Sequence, residues 1–414
     1  MSVEDEAVTE PGPEPPGGDG GGRSLIDEIS GRGVDLRSAV LLPFLAVVTA
    51  LLVSGLIIAL SDLDSLRLLD EDPLEAIGDM LDDIWSAYAA LLEGSVGSLR
   101  AISETLTSAT PLIFTGLAVA LAFKAGLFNI GANGQLLMGG MAAIAVGTRV
   151  TGLPGPLVLV LAVLAGLAGG AVWGFIPGLL RARTGAHEVI TTIMLNFVAL
   201  NLTLWLLKTR LFQVPGRDDP ISRTLDPDTR FPGLGGLLDR SDLRVHFGLV
   251  LGVAAVIIVH WLLTRSTLGF QFRAVGSNPD GARYAGMSPA VLTVVAMSIA
   301  GALAGLAGAN QLLGLQYRAF PGFGGNLGFD GITVALLGRS NPYGVLGAAL
   351  LFGALRAGGQ EMQASTDVPI DLILVVQALV VIFIAAPPLI RAIWRVKTPE
   401  AMGTATATTK GWST

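Results

Sequence analysis

The chain has 414 residues, of which 51% are hydrophobic and only 14% are charged, and its formal net charge is −7. Because soluble domains carry roughly 25% charged residues, this composition predicts an integral membrane protein. The absence of cysteine excludes disulfides, thiolate metal sites and cysteine nucleophiles. The three histidines, His187, His246 and His260, lack the spacing of metal ligands, so we expect no metal site.

Both ends of the chain are polar. Residues 1–36 are rich in proline, glycine and glutamate, which predicts a disordered N-terminal tail. They do not resemble a signal peptide, because the first apolar run, at 39–60, is long enough to remain as a spanning helix. Residues 399–414 form a second polar tail. Residues 37–398 are therefore expected to form one transmembrane domain.

Apolar segments of spanning length recur along that domain. Because a hydrocarbon core of about 30 Å needs roughly 20 apolar residues, we count about ten spans and predict an all-α bundle. They lie near 39–60, 104–123, 131–150, 155–179, 187–207, 245–263, 289–313, 329–340, 343–358 and 370–390. The eighth and ninth are short and meet at 340–342. They are interpreted as half-helices or a re-entrant pair, which membranes tolerate only inside protein or beside a water-filled cavity.

Positive charge sets the orientation. With an even number of spans, the basic residues of the short loops share one face if both termini are cytoplasmic. This N-in, C-in topology places two segments outside. Residues 73–100 form an amphipathic segment, interpreted either as a helix packed on the bundle or as a docking surface. Residues 208–244 form a long loop in which aspartates accompany the arginines.

Glycines repeat every four residues in two spans. Gly166, Gly170, Gly174 and Gly178 form one stripe, and Gly301 with Gly305 repeats the pattern. Small residues let helices approach closely in lipid, so these stripes predict helix packing; a role in sliding motion is the alternative.

Motifs of catalysis and nucleotide binding are missing from the sequence. The lysines, Lys124, Lys208, Lys397 and Lys410, do not follow a glycine-rich P-loop, and no nucleophile elbow or metalloprotease helix occurs. We therefore expect a non-enzymatic chain with no cofactor of its own and no catalytic residue.

Polar residues embedded among apolar ones mark a candidate substrate path. They fall in three clusters, at 127–140, 186–201 and 323–338. Buried amides need partners, glycine permits breaks in helices, and ionisable groups within a membrane are functional candidates. Simple hydrogen bonding between helices is the alternative. The candidates are Asn129, Asn133, Gln135, Glu188, Asn196 and Asp330.

The cytoplasmic loop at 264–288 carries helix-capping signals. Asn278 can cap a helix that starts at Pro279, Asp280 suits its first turn, and Gly286 ends it. The loop should therefore hold a rigid helix of about two turns, able to transmit motion to another protein. A plain connector is the alternative.

Four segments carry a family resemblance: PLIFTGLAVALAFKAGLFNIGANGQ, GAHEVITTIMLN, FRAVGSNPDGARYAGM and GFDGITVALLGRSNPYG. With them the chain, over roughly residues 39–395, resembles the permeases of ABC importers of the branched-chain amino acid and ribose type, in the nucleoside (simple sugar) branch. The resemblance implies a multi-pass permease in a bacterial plasma membrane, at 37–398, with a nucleoside as substrate and ribose or another simple sugar as the alternative. Relatives often have an acidic residue where this chain has Asn133, so a charge-based role is in doubt there.

The resemblance also implies partners. Two permeases, identical or paralogous, pair with two cytosolic ATPases that hold ATP and Mg, and an extracytoplasmic binding protein delivers the small-molecule substrate; no nucleic acid is involved. The FNIGANGQ region would border the path, and the RAVGSNP helix would seat in the ATPase. The coupling residues are then Arg273, Asn278, Pro279, Arg283, Tyr284 and Gly286.

Two other classes stay open. An ion-coupled secondary transporter would also have inverted repeats. A sequence similarity between residues 178–196 and 353–376 suggests that this chain contains an inverted repeat. A membrane enzyme would need an acid/base pair, for which Glu188 with Asp330 is the candidate.

Overall fold

The computed structural model describes residues 36–61, 63–68, 70–366 and 371–396. Apart from two isolated β-bridges, the regular structure within these ranges is helical. The predicted tails lie outside the described residues except for Leu36. The helices are α1 (Leu36–Ser61), α2 (Leu63–Leu68), α3 (Pro73–Val96), α4 (Leu99–Lys124), α5 (Ala132–Arg149), α6 (Gly155–Thr184), α7 (Glu188–Leu207), α8 (Gly248–Arg265), α9 (Thr267–Ser277), α10 (Pro279–Tyr284), α11 (Pro289–Asn310), α12 (Leu327–Leu337), α13 (Pro342–Ser365), α14 (Asp371–Ala385) and α15 (Pro387–Trp394).

The all-α membrane architecture is confirmed. Nine of the ten predicted spans each overlap one helix, and the tenth, 370–390, covers α14 and the start of α15. In the described part of the chain, six helices are long and apolar enough to cross a membrane. These six are Phe44–Ser61, Leu99–Lys124, Gly155–Thr184, Glu188–Leu207, Gly248–Arg265 and Pro289–Gln316. The last continues α11 through a π-helical turn, Gln311–Gln316.

The bundle is built around α4, whose apolar window is 83% buried, against 22% for α7 at the periphery. Helices α5, α8, α11, α12 and α13 all pack against α4. The core of the molecule therefore lies between α4 and the pair α6–α11, and Ala125 and Leu127 of the segment that joins α4 to α5 belong to it.

The two glycine stripes serve helix packing, as predicted, and the structure shows that they pack against each other. A β-carbon at Gly170 would overlap the carbonyl oxygen of Gly301 and lie 2.6 Å from the Cα of Gly305. One at Gly178 would lie 3.1 Å from the Cα of Val294. The backbones of α6 and α11 are thus in direct contact along several turns, which only residues without a side chain allow.

The eighth and ninth predicted spans differ from each other. Helix α12 has 11 residues and is a half-helix of about 16 Å, whereas α13 has 24 residues and a length of about 36 Å. The expectation that both are short is therefore wrong for the ninth. Hydropathy underestimates α13 because glycines and Gln360 with Glu361 interrupt its apolar sequence, yet packing on α3 and α4 keeps the backbone helical.

The segment at 73–100 contains the predicted helix, α3 (Pro73–Val96), which contacts the bundle through several small residues. Its small residues Ala76, Ala87 and Ala90 are buried, while Leu81 and Trp85 are 60% and 75% exposed. The contact surface faces α13 and α1, since small side chains allow close approach. Leu81 and Trp85 therefore point away from the bundle, whereas Leu91 is buried in it.

The long loop between α7 and α8 folds onto the end of α11. The backbone N–H of Leu225 donates to the carbonyl of Tyr317 (2.8 Å), and that of Phe231 donates to the carbonyl of Leu313 (2.9 Å). The Arg230 guanidinium lies 4.3 Å from the centre of the Tyr317 ring, a cation–π contact. The loop is thus an ordered cover at this end of the bundle.

Candidate translocation site and coupling element

The segment between α4 and α5 runs extended into the bundle and is held there by amides. Asn129 Nδ2 donates to Gln135 Oε1 (2.9 Å), and Gln135 Nε2 donates back to Asn129 Oδ1 (3.2 Å). The N–H of Gly131 donates to Asn129 Oδ1 as well (3.0 Å). Both side chains are buried, so each satisfies polar groups that would otherwise be costly inside the bundle.

A third amide reaches the same segment from α7. Asn196 Oδ1 accepts the N–H of Gly134 (2.8 Å), and its Nδ2 donates to the carbonyl of Ile130 (2.9 Å). Gly134 lies in the first turn of α5, where backbone N–H groups have no partner within the helix. Asn196 therefore joins α7 to the start of α5.

Glu188, at the start of α7, binds the extended segment at Phe128. The N–H of Phe128 donates to Glu188 Oε1 (3.4 Å), and Arg181 and His187 lie beside Oε2, the arginine as an ion pair and His187 Nδ1 at 3.7 Å. The structure thus brings four predicted path residues, Asn129, Gln135, Asn196 and Glu188, around residues 127–134.

Asn133 lies where α5 and α12 begin. A β-carbon at Gly328 of α12 would overlap the backbone of Asn133, so the two helix starts are in contact. Asn133 Oδ1 is a buried atom with no hydrogen-bond partner among the described residues. Asn133 therefore keeps hydrogen-bonding capacity in this conformation.

Asp330 sits apart from the amide cluster and pairs with Arg356 of α13 (2.5 Å). Glu188 pairs with a different arginine, Arg181. Glu188 and Asp330, the candidate acid/base pair of an enzyme, thus belong to two separate ion pairs. Both arginines occupy the same place in the echoed stretches GLLRA, at 178–182, and GALRA, at 353–357.

The helix predicted to start at Pro279 is present as α10. Asn278 Oδ1 accepts the N–H of Gly281 (2.9 Å), Pro279 opens the helix, and Gly286 follows it with a φ of +81°. Tyr284 is 98% exposed and the Arg283 side chain 71% exposed. This geometry leaves a cation and an aromatic ring available to another protein.

A second helix, α9, precedes α10 and was not predicted. Its Phe272 is fully buried and Arg273 is exposed. A β-carbon at Gly276 would lie 2.6 Å from the carbonyl oxygen of Lys124 and 2.7 Å from the backbone nitrogen of Gly126. Helix α9 therefore connects the exposed helix α10 to the start of the segment that carries Asn129.

Sequence reasoning missed Arg181 and Arg356 as partners of the buried acids, and Gly276 as a contact point. The arginines had a signal in the repeated Leu-Arg-Ala stretch, and Gly276 lies in the RAVGSNP motif itself. Among the described residues, no group of three or more histidines or acids is arranged to hold a metal ion.

Comparison with known proteins identifies similar chains. Residues 101–385 match the family described as branched-chain amino acid transport system / permease component. The guanosine ABC transporter permease protein NupP of Bacillus subtilis is 42% identical over 307 residues, 74% of this chain and 87% of that protein. The nucleoside ABC transporter permease protein NupB of Lactococcus lactis is 38% identical over 73% of this chain and 83% of that protein. The glucose ABC transporter permease protein TsgB13 of Haloferax volcanii is also 38% identical, over 83% of this chain and 86% of that protein. No solved structure matches significantly.

Proposed function

The chain belongs to the family of permease components of branched-chain amino acid transport systems, and we propose that it is the membrane-spanning permease of an ATP-driven nucleoside importer. The observation that carries the proposal is the 42% identity, over 87% of its length, with a permease named for guanosine. The capped, exposed helix α10 fits a protein that receives motion from a motor.

A nucleoside is the favoured substrate. Two of the three similar proteins are named for guanosine or nucleosides, and the third is named for glucose, so a simple sugar is the second candidate. A nucleoside is neutral and offers hydroxyls and a heterocycle. Amides such as Asn133 suit such a ligand better than fixed charges do.

The proposed topology has both termini in the cytoplasm and about ten spans, four of them made by the less apolar or shorter helices α5, α12, α13 and α14. Two contacts support it. At one end of α4, Glu104 pairs with Arg244 (3.2 Å) just before α8, and at the other end Lys124 meets Gly276. The loop at 208–247 and the pair α9–α10 thus lie at opposite ends of the bundle, and positive-inside counting puts α9–α10 inside.

The proposed partners follow from that arrangement. A cytosolic ATPase would receive α10 through Arg283 and Tyr284, with Arg273, Asn278, Pro279 and Gly286 shaping the element. ATP and Mg would bind there and not on this chain. A second permease, identical or paralogous, and an extracytoplasmic binding protein complete the importer in a bacterial plasma membrane.

Dependence on the ATPase tests the proposal. Uptake of radiolabelled guanosine is measured in cells that express the chain with its ATPase, either intact or with its P-loop lysine changed to alanine. We expect uptake to stop with the altered ATPase, and the chain purified alone to hydrolyse no ATP. Uptake that persists would assign the chain to the ion-coupled secondary transporters.

A further inference from the structure

A non-helical, glycine-rich stretch with several exposed residues lies beside the half-helix α12. Residues 317–326 connect the π-helical end of α11 to α12 without forming a helix. Gly322 and Gly325 have φ of +81° and +46°, and around either a β-carbon would meet no atom within 4 Å. Asn326 is exposed as well, and Phe329 in the first turn of α12 is 43% exposed. We call these four residues, Gly322, Gly325, Asn326 and Phe329, the α12 edge.

Contacts with α5 place the α12 edge at the depth of the bundle centre. Phe323 lies against Gly140, Gly324 lies against Leu136, and Gly328 meets Asn133. The connecting stretch therefore runs alongside the first half of α5.

The depth of α5 is fixed in turn by α11. Gly139 packs against Gly305, the 17th of the 28 residues in Pro289–Gln316. At 1.5 Å per residue, Gly139 is about 24 Å from the inner end of that 42 Å helix, and Asn133 about 15 Å from it. The α12 edge thus lies near the middle of the hydrocarbon layer.

At that depth, exposed non-helical backbone indicates contact with water or protein and not with lipid. Hydrocarbon cannot satisfy free N–H and C=O groups, so non-helical backbone at membrane depth occurs where it borders water or protein, not lipid. The unpartnered, buried Asn133 Oδ1 beside Gly328 adds a polar group next to this surface.

We infer that the α12 edge lines the water-filled translocation path and contacts the solute there, a ligand with hydroxyls and a flat ring. The amide of Asn326 offers both a donor and an acceptor to hydroxyls or ring nitrogens, and Phe329 offers an apolar face on which a heterocycle can stack. The inference about the solute rests on the proposed function, whereas the inference about water does not.

The lack of native cysteine makes this surface directly measurable. Asn326→Cys and Phe329→Cys are introduced separately into the full importer in membranes and treated with a membrane-impermeant methanethiosulfonate reagent. The matched control is Val172→Cys on α6, which is 62% exposed and lies beside Gly174, whose contacts with Met297 and Gly301 place it at a similar depth. The reagent reacts with the thiolate, and a cysteine thiol ionises to the thiolate only where water reaches it.

We expect Asn326→Cys to be labelled at least tenfold faster than Val172→Cys, and guanosine to slow that labelling. Labelling as slow as the control would overturn the inference. So would efficient disulfide formation between the Asn326→Cys positions of two permeases without reagent access, because the edge would then be a subunit contact. If labelling is fast and a sugar protects where guanosine does not, the water-lined surface stands and the proposed substrate fails.

Discussion

Gly276 of α9 lies directly against Gly126, the residue that ends the turn after α4: a β-carbon at Gly126 would lie 2.7 Å from the Cα of Gly276. The contact leaves no room for a side chain on either residue. It joins the pair α9–α10 to the extended segment that Asn129, Gln135 and Asn196 hold in the bundle. A displacement of α10 is therefore transmitted through α9 and this backbone contact to the extended segment in the core.

Gly276→Ala should uncouple ATP hydrolysis from transport. The added methyl group would meet the carbonyl of Lys124 at 2.6 Å, which forces α9 away from the turn. We expect at least a fivefold fall in guanosine transported per ATP hydrolysed, with ATPase binding retained.

The matched control is Gly347→Ala in α13, where a β-carbon meets nothing within 4 Å. Both variants are compared at equal membrane abundance. Wild-type transport per ATP in Gly276→Ala would remove the coupling role from this contact.

Asn196→Ala should destabilise the protein, whereas Asn201→Ala on the same helix should not. The first change leaves the N–H of Gly134 and the carbonyl of Ile130 without partners, at about 1–3 kcal/mol for each buried group. Asn201 is exposed and bonds only to the carbonyl of Phe197 in its own helix. Thermal unfolding of the purified permease measures the difference, and equal midpoints for the two variants would contradict this assignment.

Arg283→Glu and Gly286→Val should each weaken the complex with the ATPase. Charged and aromatic side chains anchor interfaces, and Gly286 has a φ of +81° that a β-branched residue adopts only with strain. We expect at least a threefold loss of ATPase co-purification together with loss of uptake. Arg183→Glu, an exposed charge reversal at the end of α6, serves as control. If both helix variants retain the ATPase as the wild type does, α10 is not the contact.

The part of the fold that could be predicted is the part that short stretches of sequence encode. Asn278, Pro279 and Gly286 act within one or two turns, so α10 was found with its cap and stop. The period and residue size of the glycine stripes predicted close helix packing, but the pairing of α6 with α11 is seen only in the structure. The partner of Asp330 is 26 positions away at Arg356, and packing decides such pairs. The Gly126–Gly276 contact spans 150 positions and was missed for the same reason.

Acidification should lower the stability of the folded loop between α7 and α8. His246 is buried just before α8, stacked on Phe231 with centroids 5.6 Å apart, and its Nδ1 accepts the N–H of Gly248 (3.1 Å). Burial, and secondarily the charge of Arg244, lowers its pKa from 6.5 to about 4. The folded loop therefore holds a neutral imidazole, and its stability falls as the pH drops from about 6.5 towards 4.

Hydrogen exchange in residues 208–247, corrected for intrinsic rates, should rise between pH 7 and pH 5 in the wild type and stay flat in His246→Gln. Equal pH dependence in the two proteins would exclude His246 as its source.

Reconstitution tests most directly whether the chain is the permease of an ATP-driven nucleoside importer. The chain, its ATPase, its second permease and its binding protein are placed in proteoliposomes, and accumulation of radiolabelled guanosine and glucose is followed with ATP or with a non-hydrolysable analogue. We predict that guanosine accumulates only with ATP and that glucose stays at background. Accumulation of glucose without guanosine, or of guanosine with the analogue, would contradict the assignment as an ATP-driven nucleoside permease.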